Sequence, residues 1–214
     1  MIKKKETGSL VVISAPSGAG KGSIISKLLE RDNKNRWLSV STTSRQIRKN
    51  DIEGVTYNFV SKEEFEKKIE EGYFLEYTNY VGNYYGTPKE HIDEKLKKGI
   101  DVILEIEGAS NIKKLIPEAI FIFIMPPSME ELIKRLKSRG TDSKEKILER
   151  FYTAYKEINE VTKYNYVVVN DDLEDAVNKV EAILKAEKCR VDRIEDVELN
   201  NDEEYIHELI TRDL

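Results

Sequence analysis

The sequence predicts an α/β fold, a doubly wound parallel sheet with helices on both faces, and three observations predict it. Short apolar runs begin near residues 10, 37, 100, 119 and 166, and segments of helical periodicity separate them. The first run, Leu10 to Ile13, is apolar without alternation, the pattern of a strand covered on both faces. It passes straight into a glycine-rich turn and a helix start, Ser14-Ala15-Pro16-Ser17-Gly18-Ala19-Gly20-Lys21-Gly22-Ser23. With 214 residues, 39% of them apolar, the chain is long enough for one α/β core carrying an insertion.

Taken in order, the first helix is expected over Ser23 to Arg31, and Trp37 to Val40 is the next strand. The composition then changes. Residues 41 to 60 mix hydroxyls, two arginines and an acidic turn at Asp51 to Gly54, and Val55 to Val60 alternates like a half-exposed strand. Ser61 with Glu64 is a capping box, and Gly72 closes the helix it opens. Tyr73 to Tyr77 is strand-like, and Gly82-Asn83-Tyr84-Tyr85-Gly86 reads as a turn-rich aromatic loop. Thr87-Pro88-Lys89-Glu90 signals another helix start, ended at Gly99.

Ile100 to Ile106 is a buried strand with Glu105 and Glu107 at its acidic end. Ala119 to Met125 is the most apolar run and reads as a central strand, stopped by Pro126-Pro127. Ser128 with Glu131 caps a helix that presents Arg135 and Arg139 four residues apart, a spacing that also allows pairing with Glu130 or Glu131. Thr141-Asp142 restarts a long helix through Arg150. Tyr166 to Val169 is the last strand, and Leu173 to Lys188 the closing helix. Residues 191 to 214 read as a solvated helix or partly disordered tail.

The glycine-rich turn carries the chemistry. Gly18 and Gly20 let backbone N–H groups converge on an anion, the helix N-terminus adds positive potential, and Lys21 supplies a mobile charge: a phosphate cradle of the P-loop kind. The usual pattern finds Ala15 at its first glycine and Gly22 at its hydroxyl position, so Gly22 cannot ligate magnesium and Ser23 stands one step further round. The 35 basic and 40 acidic residues are mixed along the chain, so no basic face announces nucleic acid. A lone Cys189 fits a reducing compartment. The apolar run after Lys3 to Lys5 is too short for a signal peptide or a membrane span, so the expectation is a cytoplasmic protein without nucleic-acid or membrane partners.

Eight motifs in order, Ser14 to Lys21, Ser41-Thr42-Thr43-Ser44-Arg45, Tyr57-Asn58-Phe59-Val60, Phe74-Leu75-Glu76-Tyr77, Gly82 to Thr87, Pro126-Pro127-Ser128, Arg139-Gly140-Thr141 and Asn170-Asp171-Asp172, together resemble guanylate kinase, of the bacterial type, over about residues 8 to 190. The resemblance implies a P-loop core of residues 1–40 and 96–190, a GMP-binding insertion at 41–95, a helical lid near 135–160, and a C-terminal extension at 191–214. It implies ATP-dependent phosphorylation of GMP, with dGMP a secondary substrate, in support of guanine nucleotide recycling and GTP supply. Residues 15 to 22 (Ala15, Pro16, Ser17, Gly18, Ala19, Gly20, Lys21, Gly22) would hold the ATP phosphates, with Ser23 nearby and Asn170 near the adenine. Ser41, Arg45, Arg48, Tyr57, Tyr85 and Thr87 would hold the GMP phosphate, Glu76 would read guanine, and Glu105 and Glu107 would serve guanine or magnesium. Lys21, Arg135, Arg139 and Arg150 would be catalytic, with Mg2+ held mainly through phosphates and water.

The residue types agree. A phosphate monoester calls for guanidinium forks and hydroxyl donors, and guanine offers N1–H and a 2-amino group, two donors that one carboxylate can accept. Adenine has an acceptor there, so AMP would be rejected. The chain departs from the family pattern after Glu107, where Gly108-Ala109 follow two residues early. The alternative function is a catalytically inactive guanylate-kinase-like interaction module; Lys21 and the three arginines argue against it.

Overall fold

The computed structural model describes residues 2–4, 7–48, 51–80, 82–106, 110–138, 144–197, 207 and 210–212. Five strands form an all-parallel sheet in the order β10-β9-β2-β8-β3, where β2 is Leu10–Ser14, β3 Arg36–Leu38, β8 Asp101–Glu105, β9 Ile120–Met125 and β10 Tyr166–Val169. The five expected strands are therefore present and paired as a doubly wound fold requires. The middle place belongs to β2, in register with β8 on one side and β9 on the other. The apolar run at 119–125 is interior but stands next to the edge, because β10 alone lies beyond it.

Strand periodicity divides the core into two layers. Val11 and Ile13 face Ile24, Ile25 and Leu28 of α1 (Lys21–Arg31) and Val177, Val180 and Leu184 of α7 (Leu173–Glu187). Leu10, Val12 and Leu104 face the other way, with Ile92 of α3 (Glu90–Lys97) and Ile112 of α4 (Ser110–Leu115). All five β2 residues are buried, and each large aliphatic side chain so covered contributes about 1.5–3 kcal/mol. A third, smaller cluster joins Leu132 and Leu136 of α5 (Met129–Ser138) to Ala154 of α6 (Lys144–Ile158).

Helix α1 begins at Lys21, two residues earlier than the polar pattern predicts, because Gly20 takes a left-handed conformation (φ 92°) and serves as the N-cap. At its other end Arg31 reaches Asn178, Glu181 and Glu174 of α7, and Arg36 joins Glu181 to the carbonyl of Leu28.

The segment between β3 and α3 builds a separate four-stranded sheet, β5-β4-β7-β6, from β4 (Thr42–Thr43), β5 (Asn58–Phe59), β6 (Phe74–Tyr80) and β7 (Asn83–Pro88). Helix α2 (Lys62–Glu70), capped as expected by Ser61 accepting from the Glu64 N–H, lays Phe65 against Phe74 and Tyr84. Three expectations change here. The aromatic loop at 82–86 is part of a strand: β7 pairs antiparallel with β6, and Gly86 is a close-packing glycine whose Cβ would stand 2.7 Å from the Phe74 ring and 2.9 Å from the Phe65 ring. Thr87 and Pro88 end that strand instead of opening α3, whose cap is Lys89. Of Val55 to Val60 only Asn58–Phe59 is strand, because the residues before it fold into a turn in which Val55 and Thr56 donate to the Ile52 carbonyl.

The C-terminal extension also differs from expectation. Ile194–Val197 (β11) pairs antiparallel with Ile2–Lys4 (β1), and Arg193 donates to Ser9 Oγ and the Glu118 carbonyl, tying the extension to the residues leading into β2. Thr141 and Asp142 lie outside the described residues.

Candidate functional site

The carboxyl ends of β8 and β3, with the start of α1, open onto a cavity of about 780 Å³ whose far wall is the four-stranded sheet. Its lining brings together Lys21 from the start of α1, Glu105 from the end of β8, Ser41, and Tyr57, Glu76 and Tyr85 from the insertion. Residues distant in sequence thus meet because a doubly wound sheet presents its strand ends together.

On the sheet side the turn after β2 is held by backbone bonds. Ala19 N–H donates to the Pro16 carbonyl (3.0 Å), and Gly18 and Gly20 take φ 94° and 92°. Ala15 and Ala19 are buried. The Lys21 ammonium stands 3.6 Å from a Glu105 oxygen. Around Gly22 there is open space, with no atom within 4 Å of a Cβ built there, and Ser23 is exposed on the next position of the helix. Asn170, placed by sequence near a base, is buried, and its side-chain amide donates to the Ala19 carbonyl (2.7 Å).

One of the three arginines, Arg150, contacts this turn, and a second, Arg135, bonds to Asn170 behind it. Arg135 Nε donates to Glu131 (3.1 Å), the i,i+4 partner, and its Nη1 to the Asn170 carbonyl (3.1 Å). Arg150 Nη2 donates to Ser17 Oγ (2.7 Å) from the inner face of α6. Arg139 and Glu107 lie outside the described residues.

On the insertion side Glu76 is mostly buried and accepts from Thr87 Oγ1 (2.9 Å). Burial pushes its carboxyl above the usual carboxylate range, and the Thr87 bond partly offsets this. Thr87, expected at the phosphate, is here the hydrogen-bond partner of Glu76. Arg45 makes a two-pronged pair with Asp51 (2.9 and 3.2 Å), each side chain about 10% exposed, and lies over the Tyr57 and Phe59 rings. Arg45's hydrogen bonds hold the Asp51 carboxyl below its ordinary value, and the same bonds raise Arg45. The Asp51 carboxylate also accepts from the Arg48 N–H (2.6 Å), so one acid shapes both arginine positions, while the Arg48 side chain is exposed. Tyr57 meets Tyr85 edge-on at 5.9 Å.

Sequence reasoning missed Asp51 as the organiser of Arg45; its signal was the acidic turn, read only as a turn. Glu157 of α6 and Thr78 also line the cavity and were not singled out. Among the described residues no group of three or more His, Cys, Asp or Glu could hold a metal ion, and no helix is long and apolar enough to cross a membrane.

A glycine-rich turn at a helix N-terminus, the Lys21 ammonium beside it, Arg150 on Ser17 and a half-buried Glu76 carboxylate across the cavity form a site whose chemistry suits a phosphate chain at one end and a hydrogen-bond-donating group at the other. The comparisons agree with that geometry. The guanylate kinase family model matches residues 7–187. Guanylate kinase of Clostridium tetani is 57% identical over 205 residues, 95% of this chain and 98% of the relative, and that of Caldanaerobacter subterraneus subsp. tengcongensis is 53% identical over 204 residues, 94% and 98%. A crystal structure of guanylate kinase from Anaplasma phagocytophilum superposes with a TM-score of 0.74 at 35% identity, covering 90% of this chain and 92% of that one.

Proposed function

Since the chain belongs to the guanylate kinase family, we propose the following division of labour for the ATP-dependent phosphorylation of GMP to GDP. The observation that carries it is that Lys21 and Glu76 line one cavity, the first at the phosphate cradle and the second at its far wall.

ATP binds with its phosphates on the turn from Ala15 to Gly22, where N–H groups and the α1 N-terminus meet negative charge and Lys21 follows the transferring group. GMP binds in the insertion. The Glu76 carboxylate accepts both donors of the guanine edge, Thr87 orients it, and Ser41, Tyr57, Tyr85, Arg45 and Arg48 take the phosphate. The GMP phosphate oxygen attacks in line, the bond to the ADP oxygen breaks, and GDP and ADP leave. Arg135, Arg139 and Arg150 place charge around the equatorial oxygens as α5 and α6 close and exclude water, so no general base is needed.

Magnesium, when bound, neutralises phosphate charge. The donor set fits a cation held chiefly by phosphate oxygens and water, since Gly22 offers no hydroxyl and the Glu105 carboxylate is paired with Lys21. dGMP is a second substrate, because nothing in this assignment uses the 2′-hydroxyl. The balance of composition and the single cysteine support a cytoplasmic setting.

The test is ADP release with ATP and magnesium, comparing GMP with AMP, CMP and UMP. Turnover with GMP alone is expected. Equal turnover with AMP would remove Glu76 from guanine recognition, and a folded protein that binds GMP without turnover would point to an interaction module.

A further inference from the structure

Asn170 does more in this structure than stand at a strand end. Its own N–H donates to the Met125 carbonyl (2.7 Å), its carbonyl accepts Arg135 Nη1 (3.1 Å), and its side-chain amide donates to the Ala19 carbonyl (2.7 Å). Both ends of that last bond are buried, with Ala19 at 0% and Asn170 at 6% exposure. The approach is so close that a Cβ on Gly20 would stand 2.2 Å from Asn170 Nδ2.

We propose that Asn170 is a positioning residue for the phosphate cradle, setting the direction of the loop's N–H groups and holding Arg135 beside it. The Ala19 C=O and the Gly20 N–H belong to one planar trans unit and point in opposite directions. Anchoring the carbonyl inward on Asn170 therefore turns the Gly20 N–H outward, toward the mouth of the turn, where a phosphate oxygen would sit. Gly20 has to be glycine twice over, for its φ of 92° and for the space the Asn170 amide occupies. Asn170 is itself fixed by the end of β9, so the loop takes its orientation from the sheet and not from its own turn alone. The Arg135 bond makes the same residue the resting point of a lid arginine, so cradle and lid share one reference. Asn170 thus acts on ATP through Ala19 and Gly20, without contact with the adenine.

This inference rests on the assignment of the loop as the ATP phosphate site, and inorganic tripolyphosphate, a phosphate chain with no base, separates the two. In the full chain, Asn170→Asp keeps the shape but sets an acceptor against the Ala19 carbonyl, and Asn170→Ala removes the donor. The KM for ATP and the inhibition constant of tripolyphosphate should rise together by about tenfold, while the KM for GMP stays within about twofold. Gly20→Ala, which pushes on the same contact from the other side, should give the same pattern. A rise in the ATP KM with tripolyphosphate inhibition unchanged would show an adenine contact and overturn the proposal. Equal rises for ATP and GMP, accompanied by a lowered unfolding temperature, would show a general structural role and overturn it as well. If tripolyphosphate fails to inhibit the unsubstituted enzyme, or inhibits Lys21→Met equally well, the assignment of the loop itself fails and the proposal falls with it.

Discussion

The two ends of the cavity are built by different means. The sheet end is built of main chain: a buried strand, two residues at positive φ, a helix N-terminus and the Ala19 carbonyl anchored from behind, with the Lys21 ammonium beside Glu105. The insertion end is built of side chains that other side chains hold, Glu76 by Thr87, Arg45 by Asp51 and two rings, Tyr57 by Tyr85. A main-chain cradle accepts any phosphate chain and discriminates little, whereas a carboxylate in a partly dry wall discriminates between bases because an unmatched partner leaves it buried and unpaired. Damage should therefore be general and large at the first end, and selective and graded at the second.

The largest effect is expected from Lys21→Met. It removes the positive charge proposed to follow the transferring group while leaving the backbone cradle in place, so kcat should fall about a thousandfold or more with an unchanged circular dichroism spectrum. Turnover within a few-fold of the unsubstituted enzyme would mean that the cradle alone carries transfer. Glu76→Gln comes next. A neutral amide pairs poorly with two donors, so kcat/KM for GMP should drop about a hundredfold, roughly 3 kcal/mol, with the KM for ATP little changed. Equal loss for both substrates would dissolve the contrast between the two ends.

Acidity gives the same contrast a sign. In the proposed assignment GMP binding uses the ionised Glu76, whose folded-state pKa is raised by burial. Its affinity should therefore begin to fall, as pH is lowered, above the ordinary carboxylate range of about 4.3. For the free protein the sign is opposite. The folded state binds this proton more tightly than the unfolded chain does, so Glu76's contribution to stability is present at low pH and lost as pH rises through the folded pKa. Isothermal titration with GMP and the difference in unfolding temperature between the unsubstituted protein and Glu76→Gln, followed across that window, should thus move in opposite directions, and the fall in GMP affinity should vanish in Glu76→Gln.

The contrast also explains what the sequence made legible. Backbone-built features leave local signals: the apolar run of β2, the spacing of Gly18, Gly20 and Lys21, and the Ser61 and Ser128 caps all appear where the pattern places them. Side-chain-built features depend on which neighbours the fold supplies. Gly86 reads as a turn residue but is a strand glycine pressed by Phe74 and Phe65, which lie 12 and 21 residues away in the chain, and no local pattern contains those rings. Thr87 reads as a helix cap, yet it lies on a strand opposite Glu76, which makes it that carboxylate's partner. Asp51 lies six residues from Arg45, a separation with meaning only once the turn brings them together. The last strand, Ile194–Val197, was hidden for the same reason, since its partner is at the other end of the chain.

A more moderate effect should follow from Asp51→Asn. The substitution keeps the shape but weakens the hold on Arg45 and on the Arg48 N–H, so the KM for GMP should rise about tenfold with kcat at saturating GMP and the KM for ATP almost unchanged. The pair's stabilisation is present at neutral pH and lost as pH falls through the depressed Asp51 pKa, so the substituted and unsubstituted proteins should converge in GMP affinity on acidification. An increase in the ATP KM would show that the insertion communicates with the cradle before closure.

The smallest effect is expected where the main-chain end is least typical. Gly22 sits in the first turn of α1, exposed, with open space where a side chain would go, and it has no positive φ to protect. Gly22→Ser should therefore be tolerated and should stabilise the helix by about 0.5 kcal/mol, read as a slight rise in unfolding temperature. The new hydroxyl would stand where P-loops usually present one to magnesium. If the cation is held through phosphates and water, kcat at saturating magnesium should change less than about twofold, with at most a small fall in the magnesium concentration needed for half-maximal rate. A large gain in rate would mean that the main-chain cradle of this protein is working without a ligand it needs, and that its preorganisation is less complete than its buried, glycine-turned backbone indicates.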